Sequence, residues 1–109
     1  MSRKRKERRS FAPRSAKEII GGKNIFFTKH SLERFTKRFE VSSKKSVEEQ
    51  ARFLLENAQE DNFDKVERIR RIIKNGFSEA TYLHNGNVRF VLKEIDEDTF
   101  LVLTIEKKR

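Results

Sequence analysis

His30, Arg34 and Arg38 fall four residues apart in the stretch "TKHSLERFTKRF". On a helix each four-residue step drifts by about 40°, so the three form one stripe. Leu32, Phe35 and Phe39 lie about 100° further round, so the basic stripe borders an apolar face where side chains are partly shielded yet reachable. That setting suits a phosphodiester reaction. An imidazole titrates near neutrality, so His30 could act as general acid or base. Arg34 and Arg38 could hold a phosphate bidentately and offset charge in the transition state. Basic residues beside an apolar stripe are also ordinary on any basic amphipathic helix, and spacing alone favours that plainer account.

A second cluster comes from the C-terminal third. "ATYLHNGNVRFVLKEIDEDTFLVLTIE" alternates with period two. Asn85-Gly86 is a two-residue hairpin signal and "DEDT" supplies a second turn, giving three antiparallel strands. Pairing across Asn85-Gly86 would set Leu83 opposite Val88 and Tyr82 opposite Arg89. Alternation then predicts one apolar face of Leu83, Val88, Phe90, Leu92, Leu101, Leu103 and Ile105. The other face would carry Tyr82, His84, Arg89, Val91, Lys93, Val102, Thr104 and Glu106. Tyr82, Arg89, Lys93, Thr104 and Glu106 could line a shallow phosphate-binding surface, with Tyr82 also able to stack on a base. A simple cross-strand ion pair between Arg89 and Glu106 is an equally good account.

The elements that would position these groups carry their own signals. "NIFF" is long enough for one strand, and Thr28 can cap a helix running to about Phe39. Ser46 and Glu49 form a capping-box pattern opening a second helix to about Gln59, with Val47, Ala51, Leu54, Leu55 and Ala58 on one face. Asp64 and Glu67 repeat the signal before "KVERIRRIIKNG", where Val66, Ile69, Ile72 and Ile73 make an apolar stripe. Gly76 is placed to end that helix, with Phe77 closing back on it. Gly21 and Gly22 break the chain, so the folded part is expected to begin near Asn24.

Composition bounds the rest. The 109 residues suffice for one core. The absence of cysteine excludes disulfides and thiolate chemistry, and fits a reducing, cytoplasmic setting. The two histidines lack companions at repeating ligand spacing, so no metal site is expected, and no Gly-rich phosphate loop follows a strand. No apolar run reaches membrane-spanning length. The net charge of +9 is concentrated at one end: residues 1–23 hold nine Lys/Arg and two Glu, giving +7, and residues 24–109 hold seventeen and fifteen, giving +2. Arg3, Lys4, Arg5, Lys6, Arg8, Arg9 and Arg14 in that arm could neutralise the phosphates of almost any nucleic acid by counterion release. Anionic lipid or mere solubility are the competing uses of such a tail.

"FTKHSLERFTKRFEVS" and the closing strand "LVLTI" resemble a family of small bacterial and phage proteins. Their pattern is a strand, then Thr-x-His-Ala-x-x-Arg-x-x-x-Arg, then a hydrophobic-Ser step. That arrangement is similar to the RelE/ParE-like toxin fold and to the phage endoribonuclease RegB. Here Ser31 stands where the pattern has Ala, and the segment from Lys44 to Gly76 holds more helix than the compact family pattern. The resemblance implies metal-independent cleavage of RNA through the ribose 2′-hydroxyl, with no cofactor, and His30, Arg34, Arg38 and, more weakly, Thr104 as the residues that match. It also implies ribosome-bound mRNA as a substrate, and an antitoxin or host protein as a partner.

The expected architecture is therefore α+β. A basic flexible arm (1–23) precedes a single RelE/RegB-like domain (24–109), whose short strand and three helices pack on one face of an antiparallel C-terminal sheet. His30, Arg34, Arg38 and Arg89 are the candidate catalytic set, and the arm cations, Tyr82, Lys93 and Thr104 the candidate RNA contacts. Non-catalytic RNA or ribosome binding and inhibition of host machinery remain the alternatives.

Overall fold

The computed structural model describes residues 13–41, 46–61, 65–74 and 80–108. Asp64, Gly76, Phe77 and the arm cations Arg3, Lys4, Arg5, Lys6, Arg8 and Arg9 lie outside the described residues. The elements run α1 (Ala16–Ile20), β1 (Asn24–Phe27), α2 (Lys29–Arg38), α3 (Val47–Glu56), β2 (Gln59–Glu60), α4 (Lys65–Lys74), β3 (Thr81–Asn85), β4 (Val88–Asp96) and β5 (Thr99–Lys107). The class is α+β. Five strands form one mixed sheet in the order β1-β5-β4-β3-β2, antiparallel throughout except that β1 joins β5 in parallel.

The helix starts follow local chemistry. Thr28 Oγ1 accepts from the Ser31 amide at 3.0 Å and donates to the Leu103 carbonyl at 3.1 Å, tying the head of α2 to β5. Ser46 and Glu49 form the reciprocal capping box of α3. Phe35 of α2, Ala51 and Leu55 of α3, and Leu83, Phe90, Leu92, Val102 and Ile105 of the sheet are almost wholly buried and make the core. Leu32, Phe39, Val47 and Leu54 pack at its margin, as their helical spacing predicts.

The structure departs from the sequence expectations in six places. β1 joins the sheet as a parallel edge strand instead of packing on its face, and α3 ends at Glu56, so that Gln59 and Glu60 form β2 where helix was expected. Folded chain begins before Asn24: Ser15 and Glu18 form a capping box that opens α1, and Ala16 and Ile20 are buried. Part of the 1–23 segment therefore belongs to the domain. At the hairpin, Asn85 pairs with Val88 and Leu83 with Phe90, so Gly86-Asn87 is the turn. Asn85 stays in the strand, where its side-chain Nδ2 donates to the Leu54 carbonyl of α3 at 3.0 Å, while Gly86 adopts the positive φ of 60° that glycine takes freely. The slip is two residues, so the face assignment of β3 survives.

Farther along, Val91 pairs with Thr104 but Leu92 with Val102, leaving Leu103 as an extra residue in β5. This bulge reverses side-chain parity beyond it. Val102 and Phe100 point into the core instead of Leu101 and Leu103, which are only half-buried. Finally, α4 does not join the other helices. Its Arg71 reaches Glu106 and lies over the Tyr82 ring, both on the sheet face away from the core. Val66, Ile69 and Ile73 consequently point to solvent rather than into a core.

Candidate nucleic-acid interface

Beyond Phe27, β1 no longer covers β5, and α2 packs against β5 from there onward. This carries Arg34 and Arg38 toward the second sheet face, where α4 lies. Between them opens a cleft of about 550 Å³. Arg34 and Arg38 line it from α2, Glu67, Arg71 and Lys74 from α4, Arg89 from β4, and Thr104, Glu106 and Lys107 from β5. Six cations thus face one space with two carboxylates.

The pairing inside the cleft is uneven. Arg71 donates to both oxygens of Glu106 at 3.1 and 3.2 Å and to Glu67 at 2.9 Å. Burial, the largest single influence on its guanidinium, pulls the pKa down, but its hydrogen bond to Glu67 and the charge of Glu106 outweigh it and the net shift is upward. Arg89 stands directly opposite Glu106, its Nη1 at 3.3 Å from Oε1, and its Nε donates to the buried carboxylate of Asp61 at 2.8 Å. Lys108 reaches the other Asp61 oxygen at 3.4 Å. Arg71 and Arg89 are thereby fixed, with side chains only 18% and 13% exposed. Among the described residues Arg34, Arg38, Lys74 and Lys107 have no ion-pair partner. Such a site combines two oriented guanidinium groups with four cations available to an incoming anion.

The structure brings together Arg34, Arg38, Arg89 and Thr104 of the expected site. His30 is exposed and does not line the cleft. Its place in the first turn of α2 puts it eight residues, about 12 Å along the axis, from Arg38. Lys93 is also exposed and pairs with Leu101, away from the cleft. Tyr82 is half-buried, with the Arg71 guanidinium 5.3 Å from its ring centroid. Arg14 lies elsewhere, bonded to Glu60 at 3.0 Å beside the edge strand β2. Glu67, Arg71, Lys74 and Lys107 were not among the expected site residues. The spacing of Glu67 and Arg71, one helical turn apart and opposite the isoleucine stripe, was the signal available for two of them.

No family model matches the chain, and no curated protein or solved structure matches it either. Among the described residues no helix is long and apolar enough to cross a membrane.

Proposed function

We propose that this protein is a cytoplasmic RNA-binding protein whose cleft takes the phosphate backbone, with the N-terminal cations adding sequence-independent affinity. The observation that carries the reading is the convergence of Arg34, Arg38, Arg71, Lys74, Arg89 and Lys107 on one cleft against only Glu67 and Glu106. Phosphates arriving there would meet Arg34, Arg38, Lys74 and Lys107 first, and each neutralised phosphate releases condensed counterions. The preference for RNA over DNA rests on the resemblance of "FTKHSLERFTKRFEVS" to the RelE/RegB-like proteins. The test is binding of matched single-stranded RNA and duplex DNA at several salt concentrations. Replacing Arg34 and Arg38 by alanine should weaken RNA binding and reduce the salt slope by about one to two. An unchanged slope, or equal affinity for duplex DNA, counts against the reading.

A second reading is metal-independent RNA cleavage, favoured by the placement of a carboxylate, Glu106, beside Arg89 and Thr104 in the same cleft. A base there would take the 2′-hydroxyl proton as that oxygen attacks phosphorus, the bond to the 5′-oxygen would break with that oxygen taking a proton from solvent water, and a 2′,3′-cyclic phosphate and a 5′-hydroxyl would result. His30, outside the cleft, is then a bystander rather than the acid/base. Labelled RNA incubated in EDTA separates the possibilities. Cleavage lost in Glu106→Gln and kept in His30→Ala supports a Glu106 base. Loss in His30→Ala instead returns the role to the imidazole, and binding without cleavage removes the enzyme.

A further inference from the structure

Helix α4 is mounted inside out. Arg71 faces the sheet, and Val66, Ile69 and Ile73, on the opposite side of the helix, are 65%, 50% and 56% exposed. The spacings of three and four residues repeat the a and d positions of a heptad, so the three side chains form a narrow outward seam. Arg70 flanks that seam with its side chain 70% exposed, and "KVERIRRIIK" carries five cations against one carboxylate.

The charge restricts what can cover the seam. A second copy would set basic flank against basic flank in either helix orientation, which opposes self-pairing. Nucleic acid gains nothing from aliphatic side chains, and the cations facing the cleft lie on the other side of the helix. A membrane-lying helix uses Trp, Phe and Leu on its apolar side, and this stripe has only Val and Ile. From within the chain, the acidic amphipathic helix α3 already spends its apolar side chains Ala51 and Leu55 on the core.

We propose that the outward face of α4 is a docking surface for an amphipathic helix of another protein. That helix carries apolar residues at its a and d positions and Asp or Glu on its flanks. Isoleucine and valine knobs enter its seam, and the acidic flanks meet Arg70 and its basic neighbours. The surface is separate from the cleft, so helix and anion can be bound at once, and failure of the RNA-binding reading leaves this proposal standing.

The experiment titrates the full chain into two labelled synthetic heptad peptides, both with Leu at a and d. One has Glu and the other Lys at e and g, in roughly 0.3 M salt to screen diffuse attraction to a basic protein. The Glu peptide should bind, and Ile69→Ser with Ile73→Ser should weaken it about tenfold or more. Phe53→Ser, which removes an exposed aromatic on α3, should leave it unchanged. Because the three altered side chains are solvent-facing, circular dichroism melts should match the parent, which verifies that folding is intact. The proposal is overturned if the Glu peptide does not bind, if the Lys peptide binds as well, or if the double variant binds like the parent. It is equally overturned if the seam variant abolishes a dimer seen by light scattering, or binding to phosphatidylserine vesicles.

Discussion

The two faces of the sheet are covered by different physics. On the core face α1, α2 and α3 bury aliphatic and aromatic side chains, with Phe35, Leu55, Phe90 and Ile105 excluded from water. On the second face α4 is held through Arg71, by two carboxylates and the Tyr82 ring, while its apolar side looks outward. Burial is worth roughly 25 cal/mol per Å² and needs no particular angle. Ion pairs that remain partly wet contribute far less, because side-chain ordering and water screening offset most of the attraction. The first helices therefore belong to the cooperative fold, whereas α4 should behave as an element attached to it.

The sharpest way to break that comparison is to remove matching apolar bulk from each side. Phe35 is buried and its ring sits 5.6 Å from Phe39. Phe35→Ala should cost about 3–5 kcal/mol in urea denaturation, through lost transfer energy and the cavity left behind. Ile69→Ala, on the outer side of α4, should stay within about 0.5 kcal/mol. Comparable costs at both positions would mean that α4 buries its stripe in solution.

A smaller effect is expected from the polar attachment. Arg71→Gln removes the contacts with Glu106, Glu67 and Tyr82 together, at about 1–2 kcal/mol given charge-assisted bonds on a mostly buried guanidinium. Its signature is local: hydrogen exchange should quicken across α4 and hold steady across α2. Arg70→Gln, altering an exposed pair with Glu67, should change neither. Exchange that quickens equally in α2 would show that both faces unfold as one unit.

How far these faces were legible in the sequence depends on the range of the interactions that made them. Capping is local, so Thr28 and the Ser46–Glu49 pair announced α2 and α3, and the overlooked Ser15–Glu18 pair would have announced α1 by the same rule. The period of α4 was also legible. Its side was not, because an apolar stripe says that a face wants covering and is silent about which surface is there to cover it. The bulge at Leu103 had no local mark. Its carbonyl accepts from the Thr28 hydroxyl and that of Val102 from the Thr28 amide, so the kink sits where β5 receives the head of a helix 75 residues away. Period-two alternation has no means of registering such a partner, and Val102 was assigned to the wrong face for that reason. The site divides in the same way. Residue type and helix stripe nominated Arg34 and Arg38, strand alternation nominated Arg89 and Thr104, and all four line the cleft. His30 is not among the residues lining the cleft, which its spacing with Arg34 and Arg38 could not register. Arg71 and Lys74 entered only because α4 lies on the second face.

The smallest prediction concerns the other edge of the sheet, where Arg14 and Glu60 tie the first described residues to β2. The Arg14 side chain holds the Glu60 carboxyl below its ordinary range, chiefly by the hydrogen bond, with burial opposing it, and the same bond raises Arg14. A carboxylate whose pKa is depressed on folding contributes stability above its unfolded value of about 4.3. That contribution is lost as pH falls through the lower folded value. With the Arg14 side chain 59% exposed, solvent screening keeps it to no more than ~0.5 kcal/mol. It should be seen as local loosening rather than unfolding. Acidifying from pH 5 toward 3 should lower the protection factor of the Glu60 amide, its exchange rate taken relative to the intrinsic rate at each pH, by up to about twofold; that amide donates to the Arg14 carbonyl at 2.7 Å, and α2 and α3 should keep their protection. In Glu60→Gln the early acid step should vanish, since no charge is left to titrate. If it persists there, the loosening originates in another carboxylate and the Arg14–Glu60 tie is only geometric.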